Sequence, residues 1–217
     1  MKTNYMQKSG ARATARKIIE DVSKLHRVKL ERKIRKHSAL LVVDLQKYFA
    51  SDSSNACIPA MKEIVPNVDL LIDKFYRLGC PIILTKHFNS AESDNSMLRF
   101  WNGYLDKSSE YFEIVSGLQV PHNAIIIEKE TYNAFHQTKL DEILRELNVR
   151  KLYICGVFSH LCVETTARAA FVANYDVSLV ADCTASYMYE YHFATVLNLS
   201  HGVCSISLSD ELEAYDE

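Results

Sequence analysis

The chain has 217 residues, 48% of them hydrophobic and 24% charged, with six glycines and four prolines. That profile excludes a disordered or fibrous polymer, and the length suits one sizeable core. The formal net charge of −2 hides an asymmetry, because residues 1–37 carry twelve Lys and Arg against three Asp and Glu, leaving thirteen against twenty-four in residues 38–217. No run approaches the roughly 18 apolar residues that a bilayer span needs, and the polar, charged head lacks the apolar core of a secretory signal. The expectation is a cytoplasmic protein with no membrane partner.

The first element in chain order is the basic head. Basic segments bind nucleic acid or anionic surfaces, but Ile18, Val22, Leu25 and Val28 recur at helical spacing. A helical extension over residues 1–37 that packs on the body or on a partner subunit, with no nucleic-acid partner, is therefore the expectation. From residue 38 to 217 a single domain is expected. "SALLVVDL" (38–45) reads as a strand buried on both faces, followed by a helix in which Val68, Leu71, Ile72 and Phe75 keep a helical period up to Gly79. Further strands are expected at residues 80–87, 123–129, 151–157, 176–182 and 202–208, with helices at "HQTKLDEILRELN", "LCVETTARAAFVANY" and "YEYHFATVLNLSH". The alternation predicts an α/β fold of the doubly wound type, a mainly parallel sheet with helices on both faces. The long connection at residues 88–122 holds the single tryptophan and reads as a pocket wall or lid.

Open parallel sheets bind ligands at the carboxyl ends of their strands. Three reactive residues fall there: Asp44 after "ALLVV", Lys129 after "AIIIE", and Cys162 shortly after "LYICGV". A thiol attacks as its thiolate, which a neighbouring cation or a helix start favours. Lys129 supplies the cation and Asp44 a group able to take the thiol proton and return it to a leaving amine. Backbone N–H groups around Phe158 and Cys162 are candidates for holding an oxyanion. Singly, each residue has an ordinary reading, as a turn cap, a solvated lysine or a packed cysteine. The six cysteines show neither CxxC pairs nor Cys/His metal spacing, so neither a zinc site nor a disulfide framework is expected. A nucleotide-binding protein would want a Gly-rich turn after the first strand, and "VVDLQKYF" has none.

"LLVVDLQKYF", "IIIEKETYNAF" and "LYICGVFSHLCVETTARAAF" together resemble the Asp, Lys and Cys segments of the isochorismatase-like hydrolases, in the same order and over roughly residues 38–208. The resemblance implies a Rossmann-type three-layer sheet and a catalytic triad of Asp44, Lys129 and Cys162. It also implies a cis peptide near Val157-Phe158 that turns the N–H groups of Phe158 and Cys162 toward the oxyanion. Gln46, Phe49, Trp101, Tyr132, Phe135 and His160 are the candidate substrate-contacting residues. The family often forms dimers or tetramers, which makes a homo-oligomer the expected assembly.

The family divides chemically. Its amidohydrolases form an acyl-enzyme on the cysteine and release ammonia or an amine. True isochorismatases cleave a vinyl ether by protonation from the Asp and commonly have Gly at the position of Cys162. Cys162 and "CVETTARAAF" resemble the first branch, whereas "GVFSHLCV" with His160, "YEYHFATVLNLS" and "MLRFW" resemble the second. Nicotinamidases in the family hold a metal through an Asp and two His after the first strand. Residues 45–86 here contain no histidine and His87 stands alone, so no metal and no cofactor is expected. The leading expectation is a cysteine hydrolase acting on a C–N bond of a small amide or ureido compound, with isochorismate hydrolysis as the alternative.

Overall fold

The computed structural model describes residues 2–90, 96–101 and 103–214. In chain order the elements are α1 (Gly10–Ser23), β1 (Lys33–Ile34), β2 (Ser38–Val43), α2 (Lys47–Ala50), α3 (Met61–Arg77), β3 (Ile82–His87), α4 (Ser96–Trp101), β4 (Ile125–Lys129), α5 (Leu140–Glu146), β5 (Lys151–Gly156), α6 (Glu164–Val172), β6 (Asp176–Thr184), α7 (Tyr189–Gly202), β7 (Ser205–Ser207) and β8 (Glu213–Ala214). Every residue of β2 and β5 is buried, which is why these strands read as unbroken apolar runs instead of alternating ones.

The main sheet has the order β4-β3-β2-β5-β6-β7, and all its neighbours pair in parallel. The chain winds outward from β2 in one direction through β3 and β4, then returns to β5 on the other side of β2. The carboxyl ends of β2 and β5 thus flank the point where the winding reverses, the place where such sheets leave a crevice. One face of the sheet packs Leu41, Val43 and Ile154 with residues of α5, α6 and α7. The other packs Leu40, Val42 and Leu84 against Ile64, Val68, Leu71 and Phe75 of α3. Helix α3 stops as its sequence indicates: Gly79 takes φ +66°, and the N–H groups of Gly79 and Cys80 return to the carbonyls of Tyr76 and Phe75 at 3.0 Å each, a glycine-terminated cap.

The basic head differs from the expected helix over its whole length. Its helix occupies Gly10–Ser23, with Ile18 and Val22 in the core beside α7 and Ala11 on the α3 face, where Met6 of the preceding turn joins it. Leu25 lies outside it and is exposed. Beyond it the chain runs extended: Leu30 bridges to Ile206 and β1 pairs in parallel with β8. The reason is legible afterwards, since Val28, Leu30 and Ile34 repeat at even spacing among charges, a strand's period and not a helix's. The head's charge is met within the chain. Arg16 pairs with Asp210 at 3.1 Å and Glu211 at 2.7 Å, while Arg12 lies 3.5 Å from Asp210 and 3.6 Å from buried Asp182. No helix among the described residues is long and apolar enough to cross a membrane.

Candidate active site

Strand β2 delivers Asp44 immediately past its end, in the left-handed region at φ 53°, a conformation that residues other than glycine adopt only where the surroundings over-determine it. The surroundings here do so. Thr85, inside β3, accepts the Asp44 N–H at 3.1 Å and donates its own O–H to Oδ1 at 2.5 Å. Lys129, the last residue of β4, donates to Oδ2 at 2.7 Å. Its remaining donors reach the Thr131 carbonyl at 3.0 Å and Cys162 Sγ at 3.4 Å, so the three N–H bonds of the ammonium are all used. Both side chains of the Asp44–Lys129 pair are wholly buried.

Cys162 arrives by a different route. Gly156 closes β5 at φ +110°, and a Cβ on it would sit 2.1 Å from the Val43 carbonyl oxygen, so only glycine lets β5 approach β2 this closely. The next peptide, Val157-Phe158, is cis. The chain then turns through a π-helical stretch, Ser159–Val163, before α6 begins, which puts Cys162 one turn ahead of the regular helix. Widened turns of this kind recur at functional sites. The Phe158 N–H has no hydrogen-bond partner among the described residues.

Electrostatically the site rests as a buried ion pair beside a neutral thiol. Burial pushes the Cys162 thiol well above its ordinary value, and the neighbouring carboxylate of Asp44 adds to the rise, against the opposing pull of Lys129. Burial alone would lower the Lys129 ammonium, but the Asp44 carboxylate is the main opposing charge, and the pKa lies above that of an ordinary lysine. Desolvation of the sulfur thus outweighs the pull of Lys129 in the unliganded site. The three side chains meet through Lys129, whose Nζ bridges the Asp44 carboxylate and the Cys162 sulfur.

Cys162 forms part of the floor of a cavity of about 270 Å³, whose walls include Phe49, Trp101, Tyr132 and Phe158. Phe158 and Phe49 meet edge to face at 5.2 Å, and the Trp101 indole N–H donates to the Tyr132 hydroxyl. Three residues expected to contact substrate stand elsewhere. Gln46 is fully buried, its amide donating to the carbonyls of His87 (2.9 Å) and Phe112 (3.1 Å) and accepting the His87 N–H (2.7 Å). It fastens the loop after β2 to the end of β3 and does not line the cavity. Phe135 packs on Tyr175 in the same core cluster as Cys162 and is not among the residues lining the cavity. His160 lies within hydrogen-bonding distance of Ser186 Oγ at 2.7 Å and stacks on Tyr191 with ring centres 4.0 Å apart, which turns it away from the cavity.

The sequence reading missed Tyr48, Tyr187, Leu161, Asn89, His87 and Lys2 among the lining residues. Only His87 and Asn89 carried a signal, since they follow a strand end that a parallel sheet directs at its crevice. His87 is buried, and burial together with the Lys129 charge lowers its pKa to about 4, leaving a neutral ring. Its Nδ1 has no partner among the described residues. No three His, Cys, Asp or Glu among the described residues converge on a point that could hold an ion, and the nearby Asn89 side-chain Oδ1 accepts the Leu105 N–H at 3.1 Å.

Comparison with known proteins identifies the family. The isochorismatase domain model matches residues 38–211. Nicotinamidase 3 of Arabidopsis thaliana is 37% identical over 182 residues, covering 82% of this chain and 87% of its own. An isochorismatase of Bacillus subtilis is 28% identical over 183 residues, covering 81% of this chain, which spans only 58% of that protein. In fold, a cysteine hydrolase of Pseudomonas syringae pv. phaseolicola superposes with a TM-score of 0.79 at 20% identity, over 86% of this chain and 95% of that one. The chain belongs to the isochorismatase family and is a hydrolase.

Proposed function

We propose that this hydrolase cleaves a C–N bond of a small amide or ureido compound through a thioester on Cys162, using Asp44, Lys129 and Cys162 as its triad. The observation that carries the reading is the buried contact of all three, with Lys129 Nζ 2.7 Å from Asp44 and 3.4 Å from the sulfur, at the floor of a cavity that Cys162 lines. As Sγ attacks the carbonyl carbon, the thiol proton passes to Asp44, and the carbonyl oxygen takes the negative charge. The backbone N–H groups of Phe158 and Cys162 receive that oxyanion, and a donor of this kind contributes about 10²–10³ in rate. Collapse breaks the C–N bond while Asp44 returns the proton to the leaving nitrogen. Water then gives a proton to Asp44 and attacks the thioester, releasing the acid and restoring the thiol. Lys129 holds Asp44 ionised in the resting site and keeps it aligned while it carries the proton.

The alternative, vinyl-ether hydrolysis of isochorismate, draws support from the likeness to the Bacillus subtilis isochorismatase. It would need Asp44 and not Cys162. His160, one of the three features that resembled that branch, is engaged by Ser186 and Tyr191 and does not line the cavity, which weakens that part of the reading. The test is ammonia release from a panel of small amides and ureido acids, with pyruvate formation from isochorismate followed in parallel, for the wild type, Cys162→Ala and Asp44→Asn. Loss of ammonia release in both variants supports the thiol mechanism. Pyruvate formation that survives Cys162→Ala but not Asp44→Asn sinks it.

A further inference from the structure

The family match begins at residue 38, yet the cavity is not built from that region alone. Lys2 forms part of its wall beside Tyr187, Asn55 and Tyr48. The segment that carries Lys2 is fastened at several points. The Thr3 N–H donates to the Tyr187 carbonyl at 2.8 Å, Asn4 donates to Glu63 at 3.1 Å, and the hydroxyl of half-buried Tyr5 accepts the Ser186 N–H at 3.2 Å and lies 3.1 Å from His192 Nδ1. Met6 behind it is fully buried. The Lys2 ammonium donates to the Asn55 carbonyl and stands 4.9 Å over the Tyr187 ring. No carboxylate among the described residues lies within ion-pair distance of it.

Among the described residues, the other walls carry no formal charge. Phe49, Phe158, Trp101, Tyr132 and Leu161 are aromatic or aliphatic, and His87 is neutral at physiological pH. Among the described residues Lys2 is the one cation on the cavity wall and has no counter-charge there, so it gives a largely apolar cavity a positive potential. We infer that Lys2 binds a carboxylate of the substrate, so that the site, read as the amide-hydrolysing one proposed above, takes amides or ureido compounds of small organic acids in preference to neutral amides. The amino-terminal segment is then a specificity element that the family domain itself does not contain.

The experiment is equilibrium binding, by calorimetry, of two matched pairs to the Cys162→Ala protein: succinamate against succinamide, and N-carbamoylglycine against its methyl ester. Binding does not depend on turnover, so its result is separate from the outcome for the triad. The expected result is tighter binding of each anion than of its neutral partner by about tenfold or more, the effect of roughly one well-placed charge contact. Lys2→Gln added to that protein should reduce the ratio to near one, Lys2→Arg should largely keep it, and added salt should shrink it, because Lys2 is exposed. An anion bound no more tightly than its neutral partner, or a ratio unmoved by Lys2→Gln, overturns the inference.

Discussion

Replacing Lys129 with Met removes the ammonium from a pair whose side chains are both fully buried, and leaves the Asp44 carboxylate with a single side-chain donor, Thr85. Stripping one partner from a buried ion pair costs about 3–5 kcal/mol, because the other charge remains desolvated and uncompensated. For a chain of this length each kcal/mol moves the melting temperature by roughly 2–4 °C, so the variant should melt about 6–20 °C lower. Asp44→Asn removes the other charge, and the double variant Asp44→Asn with Lys129→Met should be less destabilised than the sum of the singles by more than about 1 kcal/mol. Denaturant unfolding of all four proteins measures this cycle. A Lys129→Met loss below about 1 kcal/mol, or strict additivity, would refute the claim that the two charges hold one another in the interior.

Other expectations concern the frame around the triad. Gly156→Ala forces a side chain into a left-handed position 2.1 Å from the Val43 carbonyl; about 2–5 kcal/mol of stability should go with it, and a melt within a few degrees of wild type would contradict the packing argument. Thr85→Val removes both side-chain bonds to Asp44 and should lower kcat by about 10–100-fold with KM little altered, measured by steady-state kinetics on whichever amide is turned over; an unchanged kcat would mean that Asp44 orients itself. Burial lowers His87 and His192 to about 4 from 6.5, so between those values the unfolded chain binds more protons than the folded one. Stability should therefore be full above about pH 6.5 and fall as pH drops toward 4, by on the order of a few kcal/mol. Denaturant midpoints at pH 7 and pH 4.5 check the sign, and a flat profile would contradict it.

The sheet was largely legible because doubly buried strands leave continuous apolar runs, and "ALLVV" and "LYICG" can be little else. The reactive residues were legible through the rule that parallel strands aim their carboxyl ends at the crevice. Side-chain direction was not. Gln46, Phe135 and His160 lie near the site in sequence but spend their contacts on His87, Tyr175, Ser186 and Tyr191, partners that tertiary structure alone brings together. The desolvation of Cys162 was not legible either, since a nearby cation is visible in sequence and burial of a single side chain is not. Lys2 was overlooked among the charges of a basic head because its importance comes from the Tyr5 and Thr3 contacts that carry the segment to the cavity mouth. The head's extended stretch carried a strand period through Val28, Leu30 and Ile34, masked by the helical spacing of the residues before it.

The most direct test of the proposed chemistry is rapid-quench intact-protein mass spectrometry during turnover of an amide that releases ammonia. The account predicts a transient mass increase equal to the acyl group, mapped by digestion to the peptide containing Cys162 and absent from Cys162→Ala. Undiminished ammonia release by Cys162→Ala, with no adduct on the wild-type cysteine at any quench time, would contradict it.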